Sequence, residues 1–194
     1  MKPPLISPGA SVVIVGNGPS LMRADLGAQI DSFDEVIRFN ECRTHGFERH
    51  TGSKTTVWCT FGRGMLPGDA EIRPDKIILT HEGAKPAYPA PHLYPVPRTF
   101  YNALQEEIKA GSIMPDKSRL MPSSGFLVVR WLLDTGLAEE VTITGFDHFS
   151  KAEDKRHHYW NEGSYGVPKE HDGNYEREML ATYVQMCRLN YLTP

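Results

Sequence analysis

Short β-branched runs alternate with helical stretches along this chain, and no other feature constrains its fold as much. Ser11–Val15 ("SVVIV"), Asp34–Asn40 ("DEVIRFN"), Thr55–Phe61 ("TTVWCTF"), Asp75–His81 ("DKIILTH") and Glu139–Phe146 ("EEVTITGF") read as strands. The first is apolar throughout, as a strand covered on both faces must be. Between and after them, "LMRADLGAQID", Arg98–Gly111, Pro122–Leu137 and "NYEREMLATYVQMCRLN" carry helical patterns. The stretch "EGAKPAYPAPHLYPVP" is too proline-rich for either element and reads as a surface loop. Strands that alternate with helices predict an α/β fold with a mainly parallel sheet.

At 194 residues the chain suits a single domain, 1–194, with residues 1–10 expected to form a flexible N-terminal segment. A formal net charge of -3 gives no electrostatic reason to bind nucleic acid or an anionic membrane. The N-terminus lacks the apolar stretch of a signal peptide, and no run approaches the roughly 20 apolar residues of a membrane span. Cys42, Cys59 and Cys187 are odd in number and widely spaced, which suits reduced thiols. The expected location is therefore cytoplasmic.

The first strand runs into Gly16-Asn17-Gly18-Pro19-Ser20, a turn whose N–H groups could face a phosphate or could simply make a tight strand-to-helix connection. Leu21 stands where G-x-G-x-x-G requires its third glycine, which makes a Rossmann-type nucleotide-dependent oxidoreductase the weaker reading. Asn17 and Asn40 both fall at carboxyl ends of adjacent strands, so their amides could reach one ligand, or each could serve only its own turn. Ser123, Ser124 and Gly125 open a buried helix and offer a cap, an anion site, or both.

The most chemical stretch is histidine-rich. His157 and His158 lie in "HHYW", and His171 precedes the last helix in "HDGNYE". Histidine suits proton transfer near neutral pH; His171, oriented by Asp172 and Glu176, is the candidate general base. His158 is the candidate partner of a leaving phosphate. The histidine and cysteine spacing is not that of a zinc site, and Asp-x-Asp is absent.

Taken together, these stretches resemble glycosyltransferase family 29, the eukaryotic-type sialyltransferases. "VVIVGNGPSL…IDSFDEVIRFNECRTHGFERHTGSKTTVW" is similar to motif L, and "PSSGFLVVRWLLDTGLAEEVTITGF" to motif S. "HHYW" matches motif III and "HDGNYE" motif VS, so the likeness runs from about Ser11 to Leu180 in the family's order.

The resemblance implies a Rossmann-like α/β/α sandwich of the GT-A-variant type. It implies inverting, metal-independent transfer of a sialic acid or related acidic sugar from a CMP donor to a glycan hydroxyl, with no cofactor. Asn17 and Asn40, with Gly16 and Gly18 beside them, would contact CMP. Ser123, Ser124 and Gly125 would hold the nucleotide or the donor carboxylate. His158, with His157, would face the phosphate, His171 would act as base and Glu176 would support the site.

A CMP-Kdo-dependent transferase and a non-catalytic CMP-sugar-binding module are the alternatives within this reading. The partners implied are a CMP-sugar and a glycan acceptor, with peripheral membrane association if that acceptor is a glycolipid. Animal members join motif L to motif S by a disulfide and carry an N-terminal anchor. Here motif S has no cysteine, which implies a compact, soluble member, bacterial or viral in style.

Overall fold

The computed structural model describes residues 2–148, 158–161 and 169–193. Its centre is a sheet of seven strands: β1 (Val12–Val15), β2 (Glu35–Phe39), β3 (Val57–Thr60), β4 (Lys76–Leu79), β5 (His92–Pro95), β6 (Val141–Thr144) and β7 (Leu189–Tyr191). Their order is β5-β4-β3-β2-β1-β6-β7 and every pairing is parallel. The expected α/β sandwich is therefore the fold.

β1, apolar throughout, and β3, apolar up to Thr60, are buried along their length, because helices or loops cover both faces. Alternation then divides the strand residues between two layers. Val12, Ile14, Ile37, Val57 and Ile143 face α3 (Arg98–Gly111), α4 (Ser124–Asp134) and α5 (Gly173–Gln185). Val13, Val15 and Val36 face Leu21, Leu26, Ile30 and Tyr159. On that second face, α1 (Gly27–Ser32) and α2 (Glu48–Thr51) are each short.

Several local expectations need correction. The helix expected in "LMRADLGAQID" splits into a 3-10 turn, Pro19–Arg23, and α1, with Ala24 extended between them. Asp25 is drawn out to Arg49 at 2.6 Å, and α1 begins where a Cβ on Gly27 would lie 1.9 Å from the Glu48 carbonyl oxygen. The proline-rich loop contains β5, which the sheet tolerates because β5 is an edge strand and its Pro95 closes it.

The C-terminal helix stops at Gln185, and the chain then adds β7 at the opposite edge. The N-terminal segment, expected to be flexible, is anchored instead. Leu5 and Ile6 are buried in the main core, and Pro3 O accepts from the Tyr94 hydroxyl at 2.7 Å.

Candidate functional site at the carboxyl edge of the sheet

From β1 the chain winds one way through β2 to β5 and the other way through β6 and β7. The connections therefore part between β1 and β6, and such a reversal opens a crevice at the carboxyl ends of the strands. The glycine turn after β1 and the loop after β6 meet there. Gly16 N–H donates to Thr144 O at 2.8 Å, and Gly18 N–H to Gly145 O at 2.9 Å. Ser20 N–H donates to the Asp147 carboxylate at 2.9 Å.

These contacts correct the view of the turn as an open phosphate cradle, because three of its N–H groups already have protein acceptors. They also explain its glycines. A Cβ on Gly16 would stand 2.3 Å from Gly145 O, and one on Gly18 would stand 2.6 Å from Asp147 Cγ. Leu21, the residue that breaks the dinucleotide pattern, is 1% exposed. It packs over Gly145, where a Cβ would come within 2.8 Å of Leu21 Cγ. The third glycine is missing because this position fills the core.

Asn17 and Asn40 are brought to neighbouring strand ends, as expected. Asn17 Nδ2 donates to Phe39 O at 3.2 Å, which ties the β1 turn to the end of β2. Asn40 adopts a left-handed backbone, φ 49°, a conformation asparagine accepts more readily than most residues. Its carbonyl is held by Trp58 Nε1 at 2.8 Å, while its own buried Oδ1 has no hydrogen-bond donor. A buried oxygen without a donor is costly, and a ligand hydroxyl or amine would satisfy it.

Residues 158–160 pack onto the same corner. Tyr159 N–H donates to Asn17 O at 3.1 Å, and the Tyr159 hydroxyl donates to Arg43 O. His158 stacks on Trp160 with ring centres 4.6 Å apart. His157 lies outside the described residues.

The helix starts form the other wall. Ser123 is the N-cap of α4, its Oγ accepting from Phe126 N–H at 3.3 Å. Ser124 and Gly125 follow, half-buried, in the first turn. Gly125 has a packing reason of its own, since a Cβ there would meet the Phe146 ring at 2.8 Å.

His171 is placed beside this helix start, but Asp172 and Glu176 do not orient it as the sequence suggested. The Asp172 carboxylate takes Ser112 Oγ at 2.5 Å and Tyr175 N–H at 3.1 Å. Glu176 takes Ser123 N–H and Ser123 Oγ, each at 2.7 Å. His171 Nδ1 instead faces Met121 O at 3.0 Å. A carbonyl can only accept, so in the neutral ring the proton sits on Nδ1 and the lone pair on Nε2.

Burial is the largest influence on the His171 ring and lowers its pKa, while the Met121 carbonyl and the Glu170 carboxylate pull the other way. Burial pushes the Glu176 carboxyl up to about 7. His148, on the β6 loop with φ 50°, has a buried Nε2 without a partner, and burial holds it down to about 4.

Sequence reasoning passed over Trp58, Met121, Asp147 and Tyr159. Each acts on a residue far away in the chain, and no local pattern reports that. Among the described residues, no group of three or more His, Cys, Asp or Glu is placed to hold a metal ion. Cys42 and Cys59 are buried, Cys187 is exposed, and none is paired.

Residues 8–72 match the model of glycosyltransferase family 29 (sialyltransferase). Over that third of its length the chain is similar to the family. A mouse CMP-N-acetylneuraminate-beta-1,4-galactoside alpha-2,3-sialyltransferase is 40% identical over 67 residues, 34% of this chain and 18% of the relative. A human CMP-N-acetylneuraminate-beta-galactosamide-alpha-2,3-sialyltransferase 1 is 26% identical over 217 residues, which covers 91% of this chain and 56% of the relative. The chain thus spans about half the length of the human relative, and its match to the mouse relative covers less.

A crystal structure of a mammalian sialyltransferase superposes with a TM-score of 0.72 at 22% identity, covering 99% of this chain and 73% of that one. At that identity the likeness establishes the fold. No helix among the described residues is long and apolar enough to cross a membrane.

Proposed function

We propose that this chain transfers a sialic acid from its CMP donor to a glycan hydroxyl, in one inverting displacement without a metal or other cofactor. The observation that carries this reading is His171, half-buried just before α5 with Nδ1 turned to the Met121 carbonyl at 3.0 Å. Burial favours the neutral ring, and in that form the contact keeps the proton on Nδ1 and leaves the Nε2 lone pair as the one that takes a proton.

In the reaction, the acceptor oxygen attacks the anomeric carbon of the sugar. The bond from that carbon to the phosphate oxygen breaks, and CMP leaves with the electron pair. The hydroxyl proton passes to His171 Nε2. Base catalysis of this kind contributes about 10²–10⁴-fold, and alignment of the two substrates supplies much of the remainder.

The departing phosphate carries the developing charge. The first-turn N–H groups of a helix have no acceptor inside it, so those of Ser124 and Gly125 suit an anion better than the engaged turn after β1. His158, in its protonated form, would complete this electrostatic stabilisation. Asn40, with a buried Oδ1 awaiting a donor, suits a ribose hydroxyl or a base amine rather than a phosphate oxygen. Asn17 braces that corner through Phe39 O. Three unpaired cysteines accord with a reducing, cytoplasmic setting.

Transfer from CMP-N-acetylneuraminate to a galactoside, assayed in EDTA, tests the proposal. His171→Ala should abolish transfer while CMP still protects the protein against heat. Absence of transfer by the wild type, or activity that needs added metal, would overturn it. CMP-Kdo run in parallel decides the sugar.

A further inference from the structure

The chemistry above leaves unexplained why a carboxyl group stands at position 176. Glu176 is only 3% exposed, and both its oxygens are committed to one residue, Ser123. We propose that Glu176 is a positioning residue that holds the start of α4 in register with His171 by clamping Ser123, and that it works through hydrogen-bond geometry rather than charge. This rests on the proposed function, because it assigns α4 to the donor and His171 to the acceptor.

The segment 121–123 is fastened to the start of α5 at both of its ends. At one end, Met121 N–H donates to Glu170 O at 2.9 Å, and Met121 O faces His171 Nδ1 at 3.0 Å. At the other end, Ser123 N–H and Oγ meet the two oxygens of Glu176, each at 2.7 Å. Ser123 Oγ is also the cap that accepts from Phe126 N–H, so the clamp reaches into the first turn of α4.

One fastening alone would act as a hinge. Two fastenings, at Met121 and Ser123 and with partners on either side of the α5 N-cap Asp172, fix orientation as well as distance. The base and the donor-side helix start then move as one body. Glu176 cannot itself reach a substrate without first releasing Ser123.

A buried carboxylate is expensive to keep, so its retention calls for a partner that needs it. The clamp survives protonation. As carboxylate, Glu176 accepts from both Ser123 groups; as the acid, one oxygen still accepts from Ser123 N–H while the other donates its proton to Ser123 Oγ. Glutamine reproduces the acid form, with Oε1 as acceptor and Nε2 as donor. Alanine removes both contacts.

The experiment compares E176A, E176Q, S123A and the S123A/E176A double variant in the full chain. Kinetics are measured for donor and acceptor separately, alongside a pH profile and amide hydrogen exchange. E176A should lower kcat by about 10²-fold, the loss expected when reacting groups slip by about an ångström. It should raise the donor KM and leave the acceptor KM unchanged. E176Q should stay within about threefold of wild type in kcat, with the acidic limb of the pH profile unmoved, as for a residue outside the proton transfer. The double variant should be no worse than E176A, because both changes break one clamp.

E176Q as inactive as E176A would overturn the proposal and give Glu176 a proton or charge role. So would an E176A variant with normal donor KM and kcat. If E176A fails to fold, E176Q and S123A still decide the matter. Wild type that neither binds CMP nor transfers would sink the proposed function alone. The clamp would then be judged by exchange at Ser123 and Phe126 N–H, which S123A and E176A must accelerate and E176Q must not.

Discussion

Leu21→Gly would restore the third glycine of G-x-G-x-x-G and so asks directly whether this turn is a defective dinucleotide site or a packed corner. Leu21 is 1% exposed and sits among Val13, Val15, Leu26, Ile30, Val36 and Tyr159. Truncating such a leucine costs about 2–5 kcal/mol even at the alanine stage, through lost transfer energy and the cavity left behind. Glycine adds roughly 0.5–1 kcal/mol for backbone freedom lost on folding. For a chain of this size each kcal/mol lowers Tm by about 2–4 °C, so a fall of at least about 5 °C is expected.

Collapse of the cavity is opposed by the backbone of the β6 loop, because Gly145 already abuts the Leu21 side chain and lies 2.9 Å from Gly18 N–H. Urea unfolding at fixed pH gives the free energy, and titration with NAD(H) followed by thermal shift gives the binding. A loss below about 1 kcal/mol would mean the site is not the close-packed core described here. Protection by NAD(H) in the variant would mean that the turn is a nucleotide cradle after all.

Asp147→Ala should loosen the β1 turn by removing the acceptor of Ser20 N–H, costing about 1–3 kcal/mol for an orphaned donor, and Asp147→Asn should recover most of it; chemical denaturation of the two variants checks this. Arg38 is 1% exposed and donates to Thr51 O, Lys54 O and Thr55 Oγ1. Its replacement by alanine should cost on the order of 3 kcal/mol or more, and an m-value equal to wild type would show that the loss lies in the folded state.

Glu176 gives a pH signature with a definite sign. Its carboxyl rises from an ordinary 4.5 to about 7 on folding, so the folded state holds the extra proton between those values. Stability from this group is full below about pH 4.5 and is lost as pH rises through 7, by on the order of 3 kcal/mol. E176Q should therefore match wild type near pH 4.5 and exceed it at pH 8; equal stability across the range would refute the assignment. His171 acts in the opposite sense, since burial lowers its pKa and its contribution fades as pH falls below 6.5.

Local pattern was enough for elements whose sequence and environment agree. Arg98–Gly111 forms one helix with the expected bounds, and the apolar run Val12–Val15 is the buried strand at the heart of the sheet. It failed where a distant neighbour changed the outcome. Asp25 meeting Arg49 and Gly27 meeting Glu48 divided an expected helix, and an edge position let "HLYP" pair as a strand despite its prolines.

By itself, the sequence determined the chemistry available: glycines at the first turn, paired asparagines at strand ends, a capped apolar helix and a histidine before the last one. Such features are written in residue type and spacing, which are local properties. Tertiary structure decided which of them are open to a ligand. It filled the glycine turn with Thr144, Gly145 and Asp147, turned His171 to Met121 and gave Glu176 to Ser123. Those partners lie tens of residues away in the chain. Hydrogen bonds between segments brought together by a parallel sheet obey distance and direction in space, which order along the chain does not record.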